Sequence, residues 1–217
     1  MREQVKDILD RNLLFLYQNA FRSVYFPVKP EMVLEKLSNC RLLSYQQIAE
    51  ASHRRVAEVA RACNSLDGCT HYDPTKNRYL VAINTEGRPS GRIRWTTAHE
   101  LGHILAGHFL ELAASGSAEA SPSELEYMEE EADYFAATFL APFQAIKKLN
   151  ARSAADVRDW FDLSQTAAEY RWSEYRKPHE ETALDRYLDW SGVHSTTKQP
   201  REPKRYYPID VWADELL

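Results

Sequence analysis

The chain has 217 residues, 44% hydrophobic and 27% charged, with a net charge of -5, the composition of an ordinary soluble globular protein with room for one sizeable core. No apolar run approaches the eighteen or so residues that span a bilayer, and the acidic balance, with a pI near 5.8, argues against a general nucleic-acid binder. Cys40, Cys63 and Cys69 are odd in number and follow no framework spacing, which suits a reducing cytoplasm.

In chain order, residues 3–20 predict an amphipathic helix with Val5, Ile8, Leu9, Leu13, Leu16 and Tyr17 on its apolar side. It carries no small-residue cleavage site and does not read as a secretory signal. "FPVKP" ends that pattern, and Pro30 opens a second helix through Leu37. Ser44 caps a region, "SYQQIAEASHRRVAEVARAC", that reads as two short helices. "CTHYDPTKNRYLVAIN" alternates on either side of a Pro- and Asn-containing turn, the pattern of a hairpin. "TEGRPSGR" reads as a loop leading into a helix that begins near Arg94 to Thr97. "SGSAEASPSE" is a further loop, and Glu124 to Leu140 is helical until Pro142 interrupts it. Ser153 and Ser164 cap two further short helices. From Lys177 onward the chain is polar and punctuated by Pro, ending in "RYYPIDVWADELL".

The chemistry concentrates in "RWTTAHELGHILAGHFLEL", Arg94 to Leu112. His99 and His103 are four residues apart, so on a helix they share a face and can grip one ion. Glu100 is turned about one hundred degrees from them, where a base can take a proton from a water that zinc acidifies. His-Glu-x-x-His on a helix is therefore a motif with a mechanism. The alternative, two packed or surface histidines beside a chance Glu, sits poorly with so apolar a helix. Between Arg94 and Lys147 there is no Lys or Arg, while nine acids fall in the same window, which favours a compensating cation over a merely solvated acidic face.

Two histidines leave a catalytic zinc one protein ligand short. His108 does not supply it: the metzincin spacing needs Gly at 106 and His at 109, and those positions hold Ala106 and Phe109. His108 reads instead as a helix-end residue near a favourable dipole. The second helix offers Glu129 and Asp133, which are i and i+4. Glu129 suits the third ligand, and Asp133 suits the acceptor for the free ring N–H of a ligand His. Glu130 falls off that face, and Glu131 points toward solvent in this reading. The oxyanion needs a donor besides the ion, and no spacing rule selects among Tyr170, Arg171 and His179.

"GRIRWTTAHELGHILAGH", "EEEADYFAATFLAP" and "FDLSQTAAEYRW", in that order, closely resemble the ImmA/IrrE family of zinc metallo-endopeptidases, and "DPTKNRYLVAIN" resembles that family's preceding strand. The resemblance covers roughly residues 28–175. It departs where Ala141 precedes Pro142 and the family often has Leu-Met-Pro. The resemblance implies a helix-rich α+β fold, with a small antiparallel sheet packed against a gluzincin-like active-site helix pair. It implies a Zn2+ cofactor on His99, His103 and Glu129, with Glu100 as the catalytic residue. It also implies a cytoplasmic enzyme whose protein substrate is a helix-turn-helix transcriptional repressor encoded nearby. On this reading the chain divides into an N-terminal helix (1–27), a zinc metallopeptidase core (28–150), a helical pair completing or flanking it (151–176) and a polar C-terminal extension (177–217).

The rival reading is a metal-containing DNA-binding or protein-binding regulator that acts without proteolysis. "VRDWFDLSQTAAEYRW" has helix-turn-helix register, and "YQQIAEASHRRVAEV" fits it more loosely, with His53 where a turn Gly is usual. Recognition helices draw affinity from Lys and Arg on phosphates, and the first segment sets Arg158, Arg171 and Arg176 against Asp156, Asp159, Asp162, Glu169 and Glu174. Direct nucleic-acid binding is disfavoured on that balance, and the intact Glu100 favours an enzyme.

Overall fold

The computed structural model describes residues 1–20, 23–115 and 120–196. The elements run α1 (Glu3–Ala20), β1 (Ser23–Phe26), α2 (Glu31–Leu34), β2 (Cys40–Ser44), α3 (Tyr45–Ser52), α4 (Val56–Ala62), β3 (Gly68–Asp73) and β4 (Arg78–Ile83). They continue with α5 (Ser90–Leu105), α6 (His108–Ser115), α7 (Pro122–Leu140), α8 (Phe143–Lys148), α9 (Ala154–Phe161), α10 (Gln165–Tyr175), α11 (Ala183–Trp190) and β5 (Gly192–Ser195). The fold is α+β and helix-rich, as the sequence implies. The predicted loop from Ser115 to Glu124 falls partly on residues 116–119, which lie outside the described residues, as does "RYYPIDVWADELL". No helix among the described residues is long and apolar enough to cross a membrane.

β4 is the middle strand of a three-stranded sheet ordered β2-β4-β3. The β3–β4 hairpin is antiparallel and in register from Gly68 opposite Ile83 to Asp73 opposite Arg78. Its turn closes at Asn77, in the left-handed region with φ 46°, where Asn is tolerated. β2 pairs with β4 in parallel, so the sheet is mixed rather than antiparallel throughout. That pairing was hidden because "CRLLS" is short and is followed at once by the Ser44 capping box of α3. As the central strand, β4 buries Tyr79, Val81, Ala82 and Ile83, and its near-continuous apolar run reflects burial on both faces.

α5 starts at Ser90, several residues before the position expected from sequence. "RPSGR" looks like loop because it carries Pro and Gly, but both serve the helix. Pro89 stands at the N-cap in extended backbone, and a Cβ on Gly91 would lie 2.7 Å from the Leu163 carbonyl carbon and 2.8 Å from the Ser164 nitrogen. The glycine is therefore the allowance for the α9–α10 turn, which presses on the start of α5. At the other end, Gly107 adopts φ 79°, the left-handed conformation that terminates helices, and the chain restarts as α6.

α7 packs along α5. Gly102 makes the approach possible: a Cβ there would sit 3.0 Å from both the Cα and the carbonyl oxygen of Ala132. Phe135, Phe139 and Leu140 are fully buried on the same side of α7, each contributing about 1.5–3 kcal/mol through removal from water. α1 closes this core with Leu9, Leu13, Leu16 and Tyr17, whose hydroxyl donates to the Phe139 carbonyl.

The segment from Lys177 onward reads as a polar extension, yet α11 buries Leu184 and Leu188, and β5 pairs in parallel with β1. The polarity that masks this segment belongs to its outer face. Thr182 and Asp185 form a capping box that starts α11.

Candidate metal centre

His99, Glu100 and His103 all project from α5, the two histidines together because they are one turn apart. Their Nε2 atoms are 3.0 Å apart. Glu129, one helix away on α7, brings Oε2 to 3.2 Å from His99 Nε2 and Oε1 to 3.5 Å from His103 Nε2. These three side chains form the one His/Cys/Asp/Glu cluster among the described residues whose ligand atoms converge closely enough for an ion, all lying within 4.8 Å of one another. In a tetrahedral zinc site with bonds of 2.0–2.1 Å, neighbouring ligand atoms stand about 3.3 Å apart. Two imidazoles and one carboxylate at 3.0, 3.2 and 3.5 Å thus fit such an ion in both chemistry and spacing.

The electrostatics agree. Burial works against charge on His99, but hydrogen bonds to Asp133 and Glu129 outweigh it and push its pKa up to about 10. The facing imidazoles of His103 and His99 hold the Glu129 carboxyl far below the usual carboxylate range. A pocket of this kind favours positive charge.

Asp133 stands where the i+4 spacing put it, with Oδ1 2.9 Å from His99 Nδ1. Glu100 is 7% exposed, and the Thr70 hydroxyl on edge strand β3 donates to its Oε2 at 2.7 Å. Thr70 was not singled out from sequence. The hairpin alone carries no signal that this residue faces α5.

Two expectations are overturned. Glu131 does not face solvent: its side chain is fully buried and accepts from Arg2 through Nε at 3.0 Å, Nη2 at 2.8 Å and the backbone N–H at 2.8 Å. The helical wheel is correct that Glu131 leaves the Glu129 face, but α1 covers the side it turns to. His108 is not a helix-end residue near a C-terminal dipole. It opens α6 and is fully buried, with Nδ1 2.8 Å from His103 Nδ1 and Nε2 3.0 Å from Glu131 Oε2. Burial and the neighbouring His103 push its pKa down to about 4, so the ring is neutral. The long stretch without Lys or Arg therefore finds one of its cations at the other end of the sequence, in Arg2, which also bonds Glu111 at 2.6 Å.

The three suggested oxyanion donors separate. Arg171 is 4% exposed and turned inward, its Nε donating to the Ala141 carbonyl at 2.7 Å and its guanidinium 3.8 Å from the Phe143 ring centroid. It caps the end of α7 and cannot double as an open donor. His179 packs its ring on Phe143 at 4.4 Å. Tyr170 is half-exposed, and burial, with Glu174 and Asp133, raises its pKa.

The α9–α10 turn, which resembles that of a helix-turn-helix, is occupied. Asp162 accepts from Ser90 at 3.0 Å and from Arg94 at 2.6 Å, tying the turn to the start of α5.

The family model described as Peptidase_M78, IrrE N-terminal-like domain, matches residues 61–174, more than half of the chain. The chain belongs to this peptidase family. The IrrE-like match takes in α5, α7 and the α9–α10 pair, and with them His99, Glu100, His103, Glu129 and Asp133. Helix α1, with Arg2 before it, and α11 lie outside it. No curated protein matches the chain. Among solved structures, a Mycobacterium tuberculosis transcriptional regulator is similar at 14% identity with a TM-score of 0.47. That similarity covers 82% of this chain and 52% of the other, so the chain spans about half the length of that protein.

Proposed function

We propose that this protein is a zinc-dependent metallo-endopeptidase that cleaves a helix-turn-helix transcriptional repressor encoded nearby. The observation that carries the enzymatic part is the convergence of His99, His103 and Glu129 beside a buried Glu100, within a chain of a peptidase family. The repressor as substrate rests on the resemblance to the ImmA/IrrE enzymes.

In this reading His99, His103 and Glu129 hold the ion, and Asp133 accepts from His99 Nδ1–H and so directs Nε2 at the site. An ion held there would supply Lewis acidity for the scissile carbonyl and for the attacking water. Glu100 is the general base. The Thr70 hydroxyl engages its Oε2, fixes the carboxylate and leaves Oε1 free to take the proton of the attacking water. Glu100 then hands that proton to the leaving nitrogen. Tyr170 is the candidate for stabilising the oxyanion, since Arg171 is occupied with Ala141. The α9–α10 pair acts as a strut on α5, a role that the Asp162 contacts to Ser90 and Arg94 support.

The test is co-expression with the repressor gene that neighbours this one, followed by immunoblotting of the repressor. The wild-type chain shortens or depletes it under inducing conditions, and Glu100→Gln does not. Equal repressor levels with both proteins, together with specific operator binding by this chain alone, would establish the non-proteolytic regulator instead.

A further inference from the structure

His108 is a fully buried histidine that the mechanism above does not use. Buried imidazoles need partners for both nitrogens, and those of His108 are specific. Its Nδ1 meets Nδ1 of His103, and its Nε2 meets Oε2 of Glu131. The tautomers follow from the network. Glu131, bound by three N–H donors of Arg2, is a carboxylate and accepts, so His108 carries its proton on Nε2. Its Nδ1 is then an acceptor, and the proton of the 2.8 Å contact sits on Nδ1 of His103. That leaves the lone pair of His103 on Nε2, the atom that faces His99 and Glu129.

We infer that His108 is a positioning residue for His103, fixing its tautomer and ring orientation through a buried chain that runs by way of Glu131 to Arg2. The inference rests on the proposed metal site. The backbone is arranged for it: Gly107, at φ 79°, ends α5 and turns the chain so that a residue five positions on comes back beneath His103. Partners that orient a metal-bound histidine in this way typically alter metal affinity about 10- to 100-fold when removed.

The two ring nitrogens can be tested separately. In His108→Asn the side-chain oxygen falls where Nδ1 stands, keeping the acceptor for His103 and giving up Glu131. In His108→Gln the amide reaches the position of Nε2, keeping Glu131 and giving up His103. His108→Leu loses both. The full-length chain is stripped of metal and titrated with zinc against a chromophoric chelator, and the melting temperature of each metal-free variant is recorded in parallel. The expected order is wild type and His108→Asn within about threefold of each other, with His108→Gln and His108→Leu weaker by about 10- to 100-fold. That order separates positioning from packing, because a purely structural role would move the melting temperatures and leave the folded variants with wild-type zinc affinity. Equal affinity in wild type and His108→Leu, or equal losses in the Asn and Gln variants, overturns the inference while the metal site stands. A wild-type chain that takes up no zinc overturns both.

Discussion

The two histidines of the site are held in opposite ways. His99 leans on one carboxylate, Asp133, which is half-exposed on α7. His103 leans on a buried chain, His108 to Glu131 to Arg2, that crosses from α5 through α6 and α7 to the residue just before α1. One support is local and belongs to the segment shared with the IrrE-like family model; the other draws in Arg2, outside that match. A hydrogen bond at the surface competes with water, whereas a buried network is worth more when complete and costs more when broken. The contrast says that the rigidity of a metal site can be distributed unevenly, with one ligand tuned by its neighbour and the other by the tertiary fold.

The largest effect comes from removing the two histidine arms themselves. His99→Ala and His103→Ala each eliminate tight zinc binding and cleavage, and metal analysis of the purified proteins should find neither loaded. His108→Ala retains zinc, though more weakly. Glu100→Gln sharpens the division between holding and reacting. It leaves both arms and the ion in place and lowers cleavage by about 10²- to 10⁴-fold, because it removes proton transfer alone. Paired measurements of zinc content and peptide turnover separate these two patterns.

Next in size is the packing that brings the arms together. Gly102→Val drives a side chain into the Ala132 backbone, which lies 3.0 Å from where a Cβ would stand. Overpacking of this kind costs about 1–3 kcal/mol, and the variant should melt earlier and bind zinc more weakly as Glu129 is pushed from the histidines. The smallest effects come from the outer supports taken singly. Asp133→Asn weakens zinc binding by about tenfold, and Arg2→Gln by less, since Glu131 keeps its bond from His108. Chelator competition ranks the two.

Much of this was legible in the sequence because the relevant signals are local. The i, i+4 spacings of His99 with His103 and Glu129 with Asp133 become shared helix faces by geometry alone, and the serines at 44, 153 and 164 cap helices where they were expected to. What escaped reading depends on partners far along the chain. Glu131 reads as solvent-facing on its own helix, and only the docking of α1 turns that face inward. His108 was judged by its distance from a ligand position, and its neighbour beneath His103 comes from a backbone turn at Gly107. β5 is invisible without β1, since a four-residue parallel pair with 165 positions between its ends carries no pattern of its own.

Whether His99, His103 and Glu129 hold a zinc ion is decided by calorimetric zinc titration of three proteins. The metal-free wild-type chain should bind one zinc, Glu130→Gln should bind it equally well, and Glu129→Gln should bind it far more weakly. A wild-type chain that binds no zinc, or a Glu130→Gln variant that loses it while Glu129→Gln keeps it, would show that these three residues do not form the site.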